Sequence, residues 1–191
     1  VDEARHDALY ELEVALPHLY TRPPTWEIDA VLRHLLVDVA GSTHRAEISI
    51  DKLFDPQTPH GRQGLVELRA FEMPPHPRMV TAQVILTRAL LASFAREPYK
   101  HALVRWGAEL HDRFLLPYYM WRDFEDVLSH LERHAVALPN EAYRPFVELR
   151  CPLVGALELD QARGEVRKAI EPWHVLGEDA TQTGTARYVD S

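Results

Sequence analysis

The chain has 191 residues, of which 46% are hydrophobic and 26% charged, and 21 lysines and arginines against 29 aspartates and glutamates leave a formal charge of −8. Such a composition excludes disordered, collagen-like and disulfide-scaffold proteins, and it suits one domain spanning 1–191. The acidic balance excludes the basic footprint that duplex nucleic acid or an anionic membrane surface demands, so neither is expected as a partner.

In chain order, residues 4–16 place Leu9, Leu12, Ala15 and Leu16 at helical spacing, with Pro17 as the predicted stop. Thr25 is the predicted N-cap of a second helix, whose apolar face runs from Ile28 to Val39 and ends at Gly41. The period then changes. Residues 44–50 alternate, with Ala46, Ile48 and Ile50 expected inward and Arg45, Glu47 and Ser49 outward, as in a half-buried strand. A loop with Pro56, Pro59, Gly61 and Gly64 leads to a second predicted strand over 65–71. A stop at Met73-Pro74-Pro75 precedes a long apolar helix over 79–95.

Further helices are expected over 101–114 and 121–137. A hairpin is expected between 146–150 and 156–160, and a short helix over 164–170. Helical runs between antiparallel strand pairs argue an α+β fold, an antiparallel sheet packed with helices. Val-Glu-Leu-Arg occurs twice, at 66–69 and 147–150, but no longer repeat accompanies it. The single cysteine, Cys151, has no internal disulfide partner and fits a reducing, cytoplasmic compartment. No apolar run approaches the ~20 residues of a membrane span. The chain opens on Val-Asp-Glu and closes on Val-Asp-Ser, and both ends read as cuts through a longer protein.

Chemistry concentrates on the two predicted strands. Alternation points Arg45 and Glu47 one way on the first, and Glu67 and Arg69 one way on the second. If the strands are neighbours with polar faces aligned, two carboxylates and two guanidiniums share a surface. Carboxylates hold Mg²⁺ together with phosphate oxygens, and arginine forks neutralise a phosphoryl group in transfer. The same pattern fits an open sheet face carrying cross-strand ion pairs. Arg62, in the loop between the strands, is a candidate to close on a ligand. The acidic stretch 2–7 reads either as helix-dipole complement or as a further ligand group. His130 and His134, at i and i+4, fit a solvated helix face better than a metal site. Cys151 fits a small buried side chain better than a nucleophile. Neither a Gly-x-Gly-x-x-Gly nor a P-loop is present.

Four separated segments carry a resemblance: 1–13 (VDEARHDALYELE), 41–53 (GSTHRAEISIDKL), 64–75 (GLVELRAFEMPP) and 171–178 (EPWHVLGE). Together they resemble a bacterial family of predicted amidoligases, found C-terminal to a transglutaminase-like domain in one long polypeptide. That family is similar to the glutamine synthetase and glutamate–cysteine ligase superfamily. There a hydrophobic-Glu-hydrophobic-Arg strand, a proline-containing stop and a long apolar helix recur, as in Val66-Glu67-Leu68-Arg69, Met73-Pro74-Pro75 and 79–95 here.

The resemblance implies part of a glutamine-synthetase-like catalytic domain that uses ATP and Mg²⁺ (or Mn²⁺) to join a carboxylate to an amine through an acyl phosphate. It implies Glu67 as metal ligand, Arg69 as catalytic phosphate or transition-state contact, Arg45 as an earlier catalytic substrate or phosphate arginine, and, from position alone, Arg62 as a substrate or phosphate contact; strand alternation adds Glu47 to those contacts. The remaining metal carboxylates would come from an upstream half of the module, so the chain alone is expected to be inactive and to self-associate through uncovered apolar surface. The substrate is expected to be a peptide or amino acid. The alternative is a non-catalytic module that binds a peptide or the transglutaminase-like domain.

Overall fold

The computed structural model describes residues 6–33, 36–37, 47–54, 62–107, 109–169, 175–181 and 184–189. Helices and short antiparallel strand pairs alternate along it, an α+β arrangement. The strands do not join into one sheet: among the described residues they form three separate two-stranded ladders. The chain divides into two compact units, one over Met73–Pro172 and the other over Ala4–Glu72 with Trp173–Ser191.

The unit over Met73–Pro172 is led by a helix at Pro77–Arg96, numbered α4 in chain order. Two local signals start it. Pro77 sits in the first turn, where a missing N–H costs nothing, and the His76 Nδ1 accepts a hydrogen bond from the Arg78 amide at 3.1 Å. The expected helix over 79–95 is therefore present, with slightly wider ends. The helix expected over 101–114 is confined to α5, Glu109–Phe114, and the one expected over 121–137 is α6, Pro117–Arg133.

A 3₁₀ turn at Asn140–Ala142 leads into α7, Arg144–Arg150. Ala82 of α4, Trp121 and Leu128 of α6 and Tyr143 form the buried core, with Leu86, Phe124, Leu138, Phe146 and Val147 packed around it. The Tyr143 hydroxyl donates to the Ala82 carbonyl at 3.3 Å, and the Arg144 guanidinium lies 3.7 Å from the Trp121 ring centroid.

Two expectations fail in this unit. Residues 146–150 are the end of α7 and not a strand. The segment 164–170 begins as strand and not as helix, because β3, Leu153–Leu159, pairs with β4, Ala162–Arg167. The Arg167 guanidinium fixes this hairpin to α7. It donates to both Glu148 carboxylate oxygens at 2.9 Å, to Glu165 at 2.8 Å and to the Cys151 carbonyl at 3.0 Å.

In the other unit, α1 spans His6–Leu19 and runs through Pro17, which lies in its last turn. The chain beyond Pro17 keeps backbone bonds from Tyr20 to Leu16 and from Thr21 to His18, each at 3.0 Å. The missing proline N–H therefore does not end the helix there. Helix α2 spans Thr25–Leu32, so Thr25 is its first residue and Pro24 the N-cap. The expected continuation to Val39 and Gly41 lies largely outside the described residues.

The two predicted strands shrink to β1, Ile48–Ser49, and β2, Glu67–Leu68, with an unforeseen short helix, α3, Asp51–Phe54, following β1. Pro56, Pro59 and Gly61 lie outside the described residues. A second hairpin, β5 (Val175–Thr181) with β6 (Gly184–Val189), closes the chain. It repeats the plan of β3–β4: seven residues against six, with glycine third in the leading strand and a register shift between its first and third residues.

Candidate functional site

The ladder between β1 and β2 pairs Ile48 with Leu68 and Ser49 with Glu67 in antiparallel register. A further bond, from the Arg69 amide to the Glu47 carbonyl at 2.7 Å, continues the ladder by one residue. Cross-strand partners share a face, and so do residues two apart. Glu47, Ser49, Glu67 and Arg69 therefore stand on one side, as the alternation of the sequence requires. The Arg69 Nε donates to Glu67 Oε1 at 2.9 Å, which fixes that side chain geometry.

The fifth member of this face is a residue that sequence reasoning missed. The Lys52 Nζ of α3 donates to Glu67 Oε2 at 3.5 Å. Helix α3 positions it because the chain turns back immediately after β1, where the Asp51 amide donates to the Ser49 Oγ at 3.4 Å. The returning segment bonds to the same helix, its Gln63 and Leu65 amides donating to the Lys52 carbonyl at 2.8 and 3.5 Å. The signal was available in the sequence only as Ser49-x-Asp51, a short side-chain turn.

Burial along β1 departs from expectation. Ile48, expected inward, is 44% exposed, and Ser49, expected outward, is 4% exposed. Ile50 is buried as expected. On the polar side the Arg69 side chain is 22% exposed and that of Glu67 42%. The charged face is thus mostly open, with Glu47 and Lys52 exposed and only Arg69 largely covered. The hydrogen bond from Arg69 holds the Glu67 carboxyl below the usual carboxylate range, with Lys52 adding to the effect, so Glu67 is ionised at neutral pH.

The remaining candidates fare differently. Arg62 is exposed, and among the described residues no contact ties it to Glu67. Arg45 lies outside the described residues, as do the 2–5 segment and Trp173-His174. Among the described residues no group of three or more His, Cys, Asp or Glu side chains is placed to hold a metal ion. His130 and His134 do meet, with ring centroids 4.5 Å apart, but as part of a helix contact described below. Cys151 is fully buried, and burial pushes its thiol up, away from nucleophile chemistry. In the other unit a groove of about 420 Å³ follows α6 past Arg122, Glu125, Asp126 and Ser129, and shares no residue with the strand site. No described helix is long and apolar enough to cross a membrane.

One protein-family model, described as "Putative amidoligase enzyme (DUF2126)", matches residues 1–191. No curated protein and no solved structure matches the chain.

Proposed function

The chain belongs to this amidoligase family, and from that membership we propose that β1, α3 and β2 carry part of an ATP-dependent carboxylate–amine ligase site of the glutamine-synthetase-like kind. The observation that supports the reading is the convergence of Arg69 and Lys52 on the Glu67 carboxylate, with Glu47 next in register on the same side of the ladder. Mg²⁺ characteristically takes one or two protein carboxylates and completes its shell with phosphate oxygens and water. Glu67, ionised and part-exposed, fits such a carboxylate, and Glu47 on the same side of the ladder is assigned to substrate contact. A bound divalent ion would supply neutralisation of phosphoryl charge.

The chain's own residues do the rest. Arg69 offers a planar, always-charged fork matched to phosphate oxygens, and Lys52 offers a compact second cation beside it. Both hold Glu67 deprotonated before any ligand arrives. Arg45 and Arg62 are assigned as further phosphate contacts on the family resemblance alone. The remaining metal ligands belong, in this reading, to an upstream half of the ligase module, itself joined to a transglutaminase-like domain in the same polypeptide. The substrate is a peptide or amino-acid carboxylate together with an amine, and the chain alone does not turn over ATP.

The test is a Mg²⁺–ATP titration of the full-length polypeptide and its variants. Arg69→Ala is expected to lower kcat by about 100-fold or more, the usual consequence of removing one charge-stabilising donor. Glu67→Gln, which keeps the shape and an acceptor for Arg69, is expected to abolish metal-dependent turnover with folding intact. Unchanged activity in both variants refutes the assignment, and ATP turnover by the chain alone refutes the split site. One observation favours a second reading, a non-catalytic docking face: Glu67 is already satisfied by Arg69 and Lys52. That reading predicts weakened domain association, with activity untouched, in the same variants.

A further inference from the structure

The C-terminal ends of α4 and α6 meet through a cluster that the ligase reading does not use. Ser93 of α4 is only 1% exposed, and its Oγ lies 3.2 Å from His130 Nε2 of α6. One turn further along α6, His134 Nδ1 lies 3.8 Å from Glu97, the C-cap of α4, and the His134 carbonyl accepts from Arg96 at 3.4 Å. The two imidazoles are in contact, centroids 4.5 Å apart and planes tilted by 45°. The segment after α4 folds over them: Tyr99 packs edge-on to His130 at 6.0 Å and holds His101 at 4.5 Å. Phe94 closes the apolar side, 6.0 Å from His130.

We propose that this cluster is an acid-sensitive clasp: protonation of His130 releases the end of α4 and residues 97–101 from α6. His134 has a carboxylate partner in Glu97. Burial opposes a proton on His130, and so do His134 at ring-contact distance, Arg133 and His101, with Glu97 alone favouring it; together these hold His130 below the ordinary histidine range.

A proton that the closed state refuses is taken by the open state. His130 is therefore neutral in the closed form, and the clasp is fully stable above the unfolded histidine pKa. It loses stability as pH falls through and below that value. One proton taken up by His130 on opening raises the opening equilibrium by at most tenfold per pH unit.

The test is amide hydrogen exchange of residues 90–101 across pH 7.5 to 5, corrected for intrinsic rates, together with an NMR titration of the His130 and His134 ring signals. The native chain is expected to lose protection there by up to tenfold per pH unit in the acid range, as His130 takes up its proton. In His130→Gln, which keeps a partner for Ser93 but takes no proton, the pH dependence is lost. In His134→Gln the opening shifts to lower pH because the neighbouring cation is gone. Protection that is independent of pH in the native chain, or an unshifted opening in His134→Gln, overturns the proposal.

Discussion

Helix α6 ends in a backbone arrangement that its sequence is poorly suited to, and replacing one alanine measures the cost. After the last helical residue, Arg133, the Ala135 amide donates to the Glu132 carbonyl at 3.0 Å and the Val136 amide to Leu131 at 2.9 Å. This paired pattern requires a left-handed residue at the first position past the cap, usually glycine. Here it is Ala135, at φ 63°. A Cβ in that conformation costs roughly 1–2 kcal/mol. Glycine removes the cost but loses about 0.4–1 kcal/mol through the greater freedom of the unfolded chain. Ala135→Gly is therefore expected to stabilise the α6 terminus by about 0.5–1 kcal/mol, which slows amide exchange in its last turn about 2- to 5-fold. Ala137→Gly, beyond the left-handed position, serves as control and gives no such gain. Faster or unchanged exchange in Ala135→Gly, or an equal gain in the control, refutes the reasoning.

Three further outcomes follow from the same unit. Arg167→Met removes the link between α7 and the β3–β4 hairpin; its partners are partly exposed, so about 1–2 kcal/mol is expected, read as accelerated exchange over 153–167. Because Arg167 holds the Glu148 carboxyl below its ordinary 4.5, this contribution is complete above that pH and disappears as pH falls below it. Urea titrations at pH 7 and pH 3 should therefore differ less for Arg167→Met than for the native chain. Leu131→Ala, at a site with no exposed surface, is expected to cost about 2–5 kcal/mol in urea denaturation. Cys151 is expected to react with iodoacetamide only as fast as its surroundings open, and immediate labelling of the native chain would contradict its burial.

The tetrapeptide Val-Glu-Leu-Arg shows how much of this fold can be read locally. At 66–69 it is extended and supplies β2, and at 147–150 it is the end of α7. What differs is the entry. Before the first copy, Gly64 holds a φ of 69°, and the chain is tied to Lys52. Before the second, Pro145 suits a first helical turn, and Tyr143 and Arg144 are anchored on Ala82 and Trp121. Helix α4 was legible because its proline start, length and 3.6-residue period agree. The β3–β4 hairpin was misread because its turn, Asp160-Gln161, lacks the glycine or asparagine that ordinarily marks a two-residue connection. The alternation that placed Glu47, Glu67 and Arg69 on one face was correct, since period two survives even in a two-residue ladder. Lys52 escaped because its approach depends on α3, which a four-residue helix does not announce in any periodicity.

The shortness of that ladder bears on what its charges are for. Two paired residues per strand cannot stand alone in water, and an isolated hairpin of greater length is already marginal. The β1–β2 pair is held by its surroundings: the Ser49 hydroxyl, the bonds to the Lys52 carbonyl, and the Arg69–Glu67–Lys52 ion pairs. The side chains assigned to phosphoryl chemistry are thus among those that define the local backbone. An alanine at Glu67 removes both roles together, whereas glutamine there removes the charge and leaves an acceptor for Arg69. Activity lost in the glutamine variant, with the Arg69 amide still protected through its bond to Glu47, assigns the loss to chemistry. Activity lost only together with that protection assigns it to the fold.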